Sequence, residues 1–179
     1  MKILKKILIG LVVIIVLALV AALFLKKDYS VVREVTINKP KQEVFDYIKL
    51  LKSQDNFSVW NMADPNMKRE FKGTDGTVGC ISAWDSQMKN VGKGEQEIKN
   101  ITEGERIDFE LRFKKPFEAT DNAYFTTTAS SENQTKVQWG FFGKMPYPMS
   151  LMLTCMDMDK MLGPDLEKGL TNLKAVLEK

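Results

Sequence analysis

The spacing of hydrophobic and polar residues changes along this chain, and the changes separate an apolar segment, a series of strands and a terminal helix. Residues 7–25 contain no polar side chain. From residue 29 to residue 142 the chain is rich in short alternating or β-branched segments, a pattern typical of strands. From residue 147 onwards apolar residues recur every three or four positions, which is typical of helices.

The apolar segment 7–25 is long enough to cross a membrane. As a helix it would measure about 28 Å, close to the thickness of the hydrocarbon layer. A secretory signal peptide cleaved after Val20-Ala21-Ala22 is the alternative, but the apolar run continues beyond that site and exceeds the usual length of a signal. Residues 1–28 are therefore predicted to be an uncleaved single-pass anchor. Three lysines precede the span and two follow it, which places the domain on the extracytoplasmic side by the positive-inside rule.

The segment after the anchor begins with a strand and two helices and continues as a sheet. Residues 29–37 form the strand, Asn38 caps a helix that runs to about Leu51, and a second short helix carries Trp60. Six further strands are predicted at residues 67–72, 77–84, 91–101, 106–113, 117–129 and 135–142.

Residues 106–113 show the clearest alternation in the chain. Four apolar residues alternate there with four charged ones, so this strand has one buried face. A one-sided antiparallel sheet needs a cover. The C-terminal region supplies a Met-rich helix over 147–162, a break at Gly163-Pro164-Asp165, and a leucine stripe from Leu166 to Leu177. The fold class is therefore predicted as α+β, a curved antiparallel sheet around a long C-terminal helix.

The charge of the chain argues against a nucleic-acid-binding surface. The net charge is +3. Residues 1–28 hold five lysines and one aspartate, so the remaining 151 residues carry 21 basic and 22 acidic side chains. A nucleic-acid-binding domain usually has a basic face, and here acids are interspersed with the basic residues.

The side chains that commonly perform catalysis or bind metals are scarce. There is no histidine, which removes His-based triads and the commonest general base. Cys80 and Cys155 have no metal-site spacing; they are either a disulfide pair or two buried apolar residues. Glu70 and Asp85 are the carboxylates that flank the aromatic segment 57–86, and surface positions are the better interpretation of both. No catalytic residue, metal site or cofactor is predicted.

Four segments of the chain carry a resemblance to a known family: VTINKPKQEVFDYI (35–48), FSVW (57–60), the stretch from Phe71-Lys72-Gly73 through Gly79 to Trp84, and GLTNLK (169–174). Together they resemble the START-like (SRPBCC, helix-grip) superfamily, nearest to its polyketide cyclase/dehydratase and lipid-transport branch. The resemblance covers residues 29–179. It implies a helix-grip fold in which the sheet wraps around the terminal helix and encloses a hydrophobic cavity.

The aromatic and methionine residues are the candidates for the lining of such a cavity, since ligand cavities are mostly apolar. Each also suits a plain hydrophobic core. The candidates are Trp60, Phe71, Trp84, Phe109, Phe113, Phe125, Trp139, Met152 and Met156. The predicted function is a membrane-tethered domain that binds a lipid or another hydrophobic small molecule. A cyclase- or dehydratase-like enzyme with a carboxylate or Tyr in the cavity is the first alternative, and a protein-docking module is the second.

Overall fold

The computed structural model describes residues 2–179, and its elements follow the predicted order. The helices are α1 (Lys2–Ala22), α2 (Lys41–Ile48), α3 (Val59–Ala63) and α4 (Met158–Leu177), with 3₁₀ helices at Leu51–Asn56 and Met149–Thr154. The strands are β1 (Asp28–Ile37), β2 (Lys68–Lys72), β3 (Ile81–Asp85), β4 (Lys93–Thr102), β5 (Arg106–Lys115), β6 (Ala119–Ser131) and β7 (Gln134–Lys144).

The seven strands form one antiparallel sheet in the order β1-β7-β6-β5-β4-β3-β2. The first strand therefore pairs with the last. Asp28 lies opposite Lys144, Lys93 opposite Lys115, and Lys68 opposite Asp85. These six residues share one end of the sheet, which we call the anchor end because β1 starts there directly after α1.

Helix α4 covers the concave face and confirms the predicted helix-grip architecture. Its residues Leu166, Leu170 and Leu173 are almost fully buried in one core with the inward residues of the strands. An aromatic cluster occupies the centre of that core, where Phe125 packs against Phe57, Phe109 and Trp139 at ring-centroid distances of 4.8–6.1 Å.

The predicted break at Gly163-Pro164-Asp165 was wrong, because α4 continues through Pro164. Helix α4 instead begins at Met158, where the Asp157 side chain accepts a hydrogen bond from the Lys160 backbone N–H. Gly163 lies against the guanidinium of Arg33. Arg33 also binds both carboxylate oxygens of Asp159 at 2.8 Å. A proline in the second turn removes one backbone hydrogen bond, and these contacts with β1 hold the turn in place.

Other element boundaries also differ from the prediction by a few residues. Strand β3 begins at Ile81 rather than residue 77 because Gly76 and Gly79 adopt positive φ angles of 76° and 84°, which form a turn. Helix α2 starts at Lys41 with Pro40, not Asn38, at its cap position. Helix α1 ends at Ala22, three residues before the predicted end of the membrane span.

The two cysteines are free in the structure. Cys80 is buried and Cys155 is exposed. Cys80 therefore matches the interpretation as a buried apolar residue, whereas Cys155 does not.

Candidate functional site: a cavity at the anchor end of the sheet

A cavity of about 230 Å³ lies between the concave face of the sheet, α3 and the first half of α4. Its lining residues come from almost every element of the domain: Gln54, Ser58, Trp60, Asn61, Met67, Arg69, Ser82, Trp84, Asn90, Val91, Gln96, Leu111, Phe113, Ala123, Trp139, Phe141, Leu162 and Leu166. The volume is roughly that of eight water molecules in the liquid, so the enclosed space suits a small molecule.

Strand alternation and two edge-to-face contacts build the aromatic part of the lining. Trp84 and Phe113 project inward from β3 and β5 and meet at 5.9 Å with an interplanar angle of 75°. Trp60 reaches down from α3 and meets Trp139 of β7 at 5.8 Å and 89°. All three tryptophans of the protein therefore line the cavity.

The position of Trp84 depends on a glycine of the neighbouring strand. Gly94 lies opposite Trp84 in the sheet, and a Cβ at residue 94 would lie 2.6 Å from Trp84 Cζ2. The indole can lie across β4 only because that Cβ is missing. Trp84 Nε1 then donates to the Val91 carbonyl at 3.2 Å, which ties the tryptophan to the loop between β3 and β4.

Gln54 is the most unusual polar residue of the lining. It lies in the 3₁₀ helix Leu51–Asn56, and only 5% of it is exposed. Its side-chain Nε2 has no hydrogen-bond partner, and it is the one buried side-chain nitrogen or oxygen in that condition among residues 3–179. Leaving a buried amide donor unpaired costs about 1–3 kcal/mol, so this position calls for an explanation beyond packing.

Arg69 of β2 brings a charge to the same lining, and that charge is balanced. Its Nη1 forms an ion pair with Asp55, and its Nη2 donates to the Asn61 carbonyl at 3.0 Å. Asn61 Nδ2 donates to the same Asp55 carboxylate at 3.0 Å. This polar group is therefore neutral overall and held in a fixed geometry.

Lining residues in the loops at the anchor end of the sheet are exposed or half-buried, and we infer from them that the cavity opens at this end. Asn90 is exposed and Val91 and Met67 are half-buried, and all three lie in loops that follow or precede the anchor-end residues of β2, β3 and β4. Helix α4 also begins at this end, so Leu162 in its second turn closes one side of the opening.

The structure divides the predicted candidates into four groups. Trp60, Trp84, Phe113 and Trp139 line the cavity. Phe109 and Phe125 are 1% exposed and lie in the core behind it. Phe71 packs against the core under the Lys52 ammonium, 5.2 Å from its ring centroid. Met152 is exposed and Met156 borders a different, open cavity of about 520 Å³ beside the end of α1.

Sequence reasoning missed the polar part of the lining. Gln54 lies in the sequence LKSQDN, whose composition is typical of a surface turn, and Arg69 is one of two adjacent basic residues at a strand start. No local pattern marks these side chains as inward-facing.

The ionisable groups that sequence reasoning considered for chemistry lie outside the cavity lining. Glu70 is mostly exposed beside Lys72. Asp85 pairs with Lys93 at 2.6 Å, and that hydrogen bond lowers its pKa. Elsewhere the half-buried Tyr29 pairs with the buried Asp121, and burial raises the pKa of both groups. Among the described residues, no group of three His, Cys, Asp or Glu side chains is placed to hold a metal ion.

Solved structures show the same fold at low sequence identity. The Mll3558 protein from Rhizobium loti matches with a TM-score of 0.59 and 16% identity over 83% of this chain and 96% of that one. A protein from Thermobifida fusca matches with a TM-score of 0.58 and 14% identity over 81% and 90% of the two chains. Ara h 8.0201 matches with a TM-score of 0.53 and 14% identity over 85% and 99%. Identities this low establish the fold alone.

The family is established by sequence. No curated protein matches the chain. The model of the family described as polyketide cyclase / dehydrase and lipid transport matches residues 28–178, which is nearly the whole domain that follows α1. This protein is therefore a member of the polyketide cyclase / dehydrase and lipid transport family, the family that the sequence segments resemble.

Proposed function

We propose that this protein is a membrane-tethered domain that binds a hydrophobic small molecule in the cavity at the anchor end. The observation that carries the proposal is the lining itself, in which three tryptophans, two phenylalanines and aliphatic residues surround a partly open space. Cavities of this composition typically hold apolar ligands whose orientation is set by a few polar groups. The volume is below the roughly 300–1,000 Å³ of drug-sized sites, which favours a small ligand over a two-chain lipid.

The enzyme alternative has less support. Among the described residues, no Asp, Glu or Tyr lines the cavity, and the one ionisable lining residue, Arg69, is held by Asp55. A cyclase- or dehydratase-like reaction needs a general acid or base within hydrogen-bond reach of the substrate. The lining favours binding over proton transfer.

Helix α1 supports the membrane tether. Its segment Ile3–Ala22 is 20 residues long and apolar enough to cross a membrane. A signal sequence can also meet these criteria of length and composition, so the distinction rests on whether the segment is removed. By the positive-inside rule the proposal places the domain on the extracytoplasmic side.

The end of α1 packs onto the domain, which bears on how the cavity would face a bilayer. Ala22 and Ser150 are fully buried, and the Ser150 hydroxyl lies 3.5 Å from the Ala22 carbonyl. Only five residues separate Ala22 from Asp28, so the sheet starts within about 20 Å of the helix end. The opening of the cavity lies at this same end, and the proposal therefore has the ligand exchange with the adjacent bilayer.

The surface around the anchor end suits a lipid headgroup region. Residues 26–28, 64–68, 85–93, 114–119 and 144–148 carry eight lysines and four acids. Met88, Phe117, Met149 and Met152 are 41–74% exposed on the same end. Basic residues near a membrane are attracted to anionic lipids, and scattered exposed apolar side chains can enter the interface.

The tether is tested by membrane extraction of the full-length protein. We expect the protein to stay in the membrane pellet after washing with sodium carbonate at high pH, because a spanning helix is not released by breaking electrostatic contacts. Intact-mass measurement of the recovered protein should give the uncleaved chain. Release into the supernatant, or a mass lacking the N-terminal segment, would contradict an anchor.

The binding function is tested by partly filling the cavity. In Ala123→Leu the larger side chain extends from β6 into the cavity, and Ala129→Leu is the matched control on the exposed end of the same strand. Each protein is purified in native lipid particles, extracted with solvent and analysed by mass spectrometry. We expect the wild-type and control proteins to release about one molecule of an apolar compound per protein molecule. The Ala123→Leu protein should release roughly tenfold less of that compound.

Ser82→Leu fills the cavity from β3 and provides a second variant if Ala123→Leu fails to fold. Identical extracts from the wild type, the control and a folded cavity-filling variant would show that no ligand occupies this space.

A further inference from the structure

We propose that the ligand is an uncharged molecule with a carbonyl oxygen, and that this oxygen accepts a hydrogen bond from Gln54 Nε2. The inference rests on the proposed binding function and specifies the ligand class. Three features of the lining carry it: an unpaired buried donor, a charge that is already neutralised, and a small apolar space.

The unpaired donor indicates that the ligand supplies an acceptor. Gln54 is 95% buried, lines the cavity and offers an N–H that no protein atom accepts. Its backbone is fixed, since the Gln54 carbonyl accepts from the N–H groups of Phe57 and Ser58 at 3.2 and 2.8 Å. Nε2 has almost no exposed surface in this structure, so a rotation of the Gln54 side chain, with no movement of the main chain, brings its N–H to a ligand oxygen and satisfies the donor.

The lining has no unpaired positive charge, which disfavours a ligand with an ionised carboxylate. Arg69 is the one lining residue that carries a charge, and its guanidinium is occupied by the Asp55 carboxylate and the Asn61 carbonyl. A carboxylate ligand would be brought next to Asp55 and removed from water, and the arginine would have to be shared between two anions. Burying a charge without a free partner is unfavourable, so a neutral acceptor fits better than an ionised one.

The apolar residues of the lining indicate the size and shape of the hydrocarbon part of the ligand. Trp60, Trp84 and Trp139 surround the space, and 230 Å³ is enough for about one ring with a short substituent. A ketone, aldehyde, ester or amide of that size combines an apolar body with a single strong acceptor. A hydrocarbon of the same shape would leave Gln54 Nε2 unpaired.

Three probes of equal size separate these requirements: acetophenone, isopropylbenzene and benzoate. Each is titrated by calorimetry into the full-length protein in phosphatidylcholine nanodiscs, with empty nanodiscs as the background for partition into lipid. We expect wild-type protein to bind acetophenone about tenfold more tightly than isopropylbenzene, the difference made by one hydrogen bond to an otherwise unpaired donor. Benzoate should bind most weakly.

Gln54→Met tests the donor directly. Methionine keeps the length of the side chain and removes the N–H, so acetophenone should bind about tenfold less tightly and isopropylbenzene equally or more tightly. Gln42→Met is the matched control, because Gln42 is an exposed glutamine of α2 that lies outside the cavity lining. It should retain the preference for the ketone. Removal of an unpaired buried donor should leave the melting temperature of Gln54→Met at or above that of the wild type.

The outcomes distinguish the two proposals. Equal affinity of wild-type protein for the ketone and the hydrocarbon, or an unchanged preference in Gln54→Met, would overturn the role of Gln54 and leave the binding function intact. Strongest binding of benzoate would overturn the neutral ligand class. Absence of binding by all three probes above the nanodisc background would overturn the small carbonyl ligand, and the solvent extracts of the wild-type protein decide the binding function separately.

Discussion

Phe125→Ala is expected to destabilise the domain by about 3–5 kcal/mol, the usual range for removing a large aromatic side chain from a core. Phe125 is 1% exposed and contacts Phe57, Phe109 and Trp139. A loss of this size is a large fraction of the 5–15 kcal/mol that stabilises a typical domain. Thermal unfolding followed by tryptophan fluorescence in nanodiscs should show a melting temperature lower by about 10 °C or more.

Phe113→Ala is the matched comparison. Phe113 projects from the same face of the sheet but lies against the empty space of the cavity and is half-buried. It makes fewer contacts, so its removal should cost about 1–2 kcal/mol. It should nevertheless weaken ligand binding, because it enlarges the site and leaves Trp84 without its edge-to-face partner. Equal stability losses in the two variants would contradict the division of the aromatic residues into core and cavity.

Arg112→Met is expected to destabilise the protein by about 1–3 kcal/mol at neutral pH. Arg112 lies on the outer face of β5, where it binds Glu95 and Glu97 at 2.7 Å and also contacts Glu110. Without the guanidinium, three carboxylates are left close together, and Glu97 lies directly opposite Glu110 in the sheet. Like charges at opposite positions of neighbouring strands are destabilising, and removing one partner of a network costs more than losing an isolated surface pair.

The loss of stability in Arg112→Met should decrease as the pH falls. Hydrogen bonds from Lys114 and Arg112 lower the pKa of Glu95, and those from Arg112 and Lys99 lower the pKa of Glu97, from an ordinary value of 4.5. A carboxylate with a lowered pKa in the folded state stabilises the protein above its unfolded pKa, and that stability is lost as the pH falls through the folded value. The difference between wild type and Arg112→Met should therefore be largest near pH 7 and shrink below about pH 4.5.

Unfolding curves at several pH values and salt concentrations measure this effect. High salt should reduce the difference between the two proteins, since these side chains are partly exposed to solvent. Lys136→Met is the control: its ammonium lies 3.8 Å from Glu34 in an isolated, exposed pair, and its removal should leave the melting temperature nearly unchanged. A pH-independent loss in Arg112→Met would point to the loss of packing by its side-chain methylenes.

The elements themselves follow from local chemistry. The alternation of residues 106–113 identifies β5 and its buried face, and an uninterrupted apolar run identifies α1. Such features depend on the backbone period and on the composition of a single segment. The break predicted at Gly163-Pro164-Asp165 was wrong because local information was not sufficient there. Proline weakens a helix locally, but Arg33 contacts Gly163 and Asp159 from a strand more than a hundred residues away in the sequence.

What the sequence by itself determined is the order of the elements, the inward faces of the strands and the family. Only the tertiary structure decided which of the inward-facing residues line the cavity and which belong to the core. Phe109 and Phe113 are inward-facing residues of the same strand, yet one is core and the other lines the cavity, because the period of a strand defines which face a residue is on and not what covers it. Asp55, Asn61 and Arg69 meet for the same reason. Their charges and hydrogen bonds are matched across three elements, and that match exists only once the chain has folded around α4.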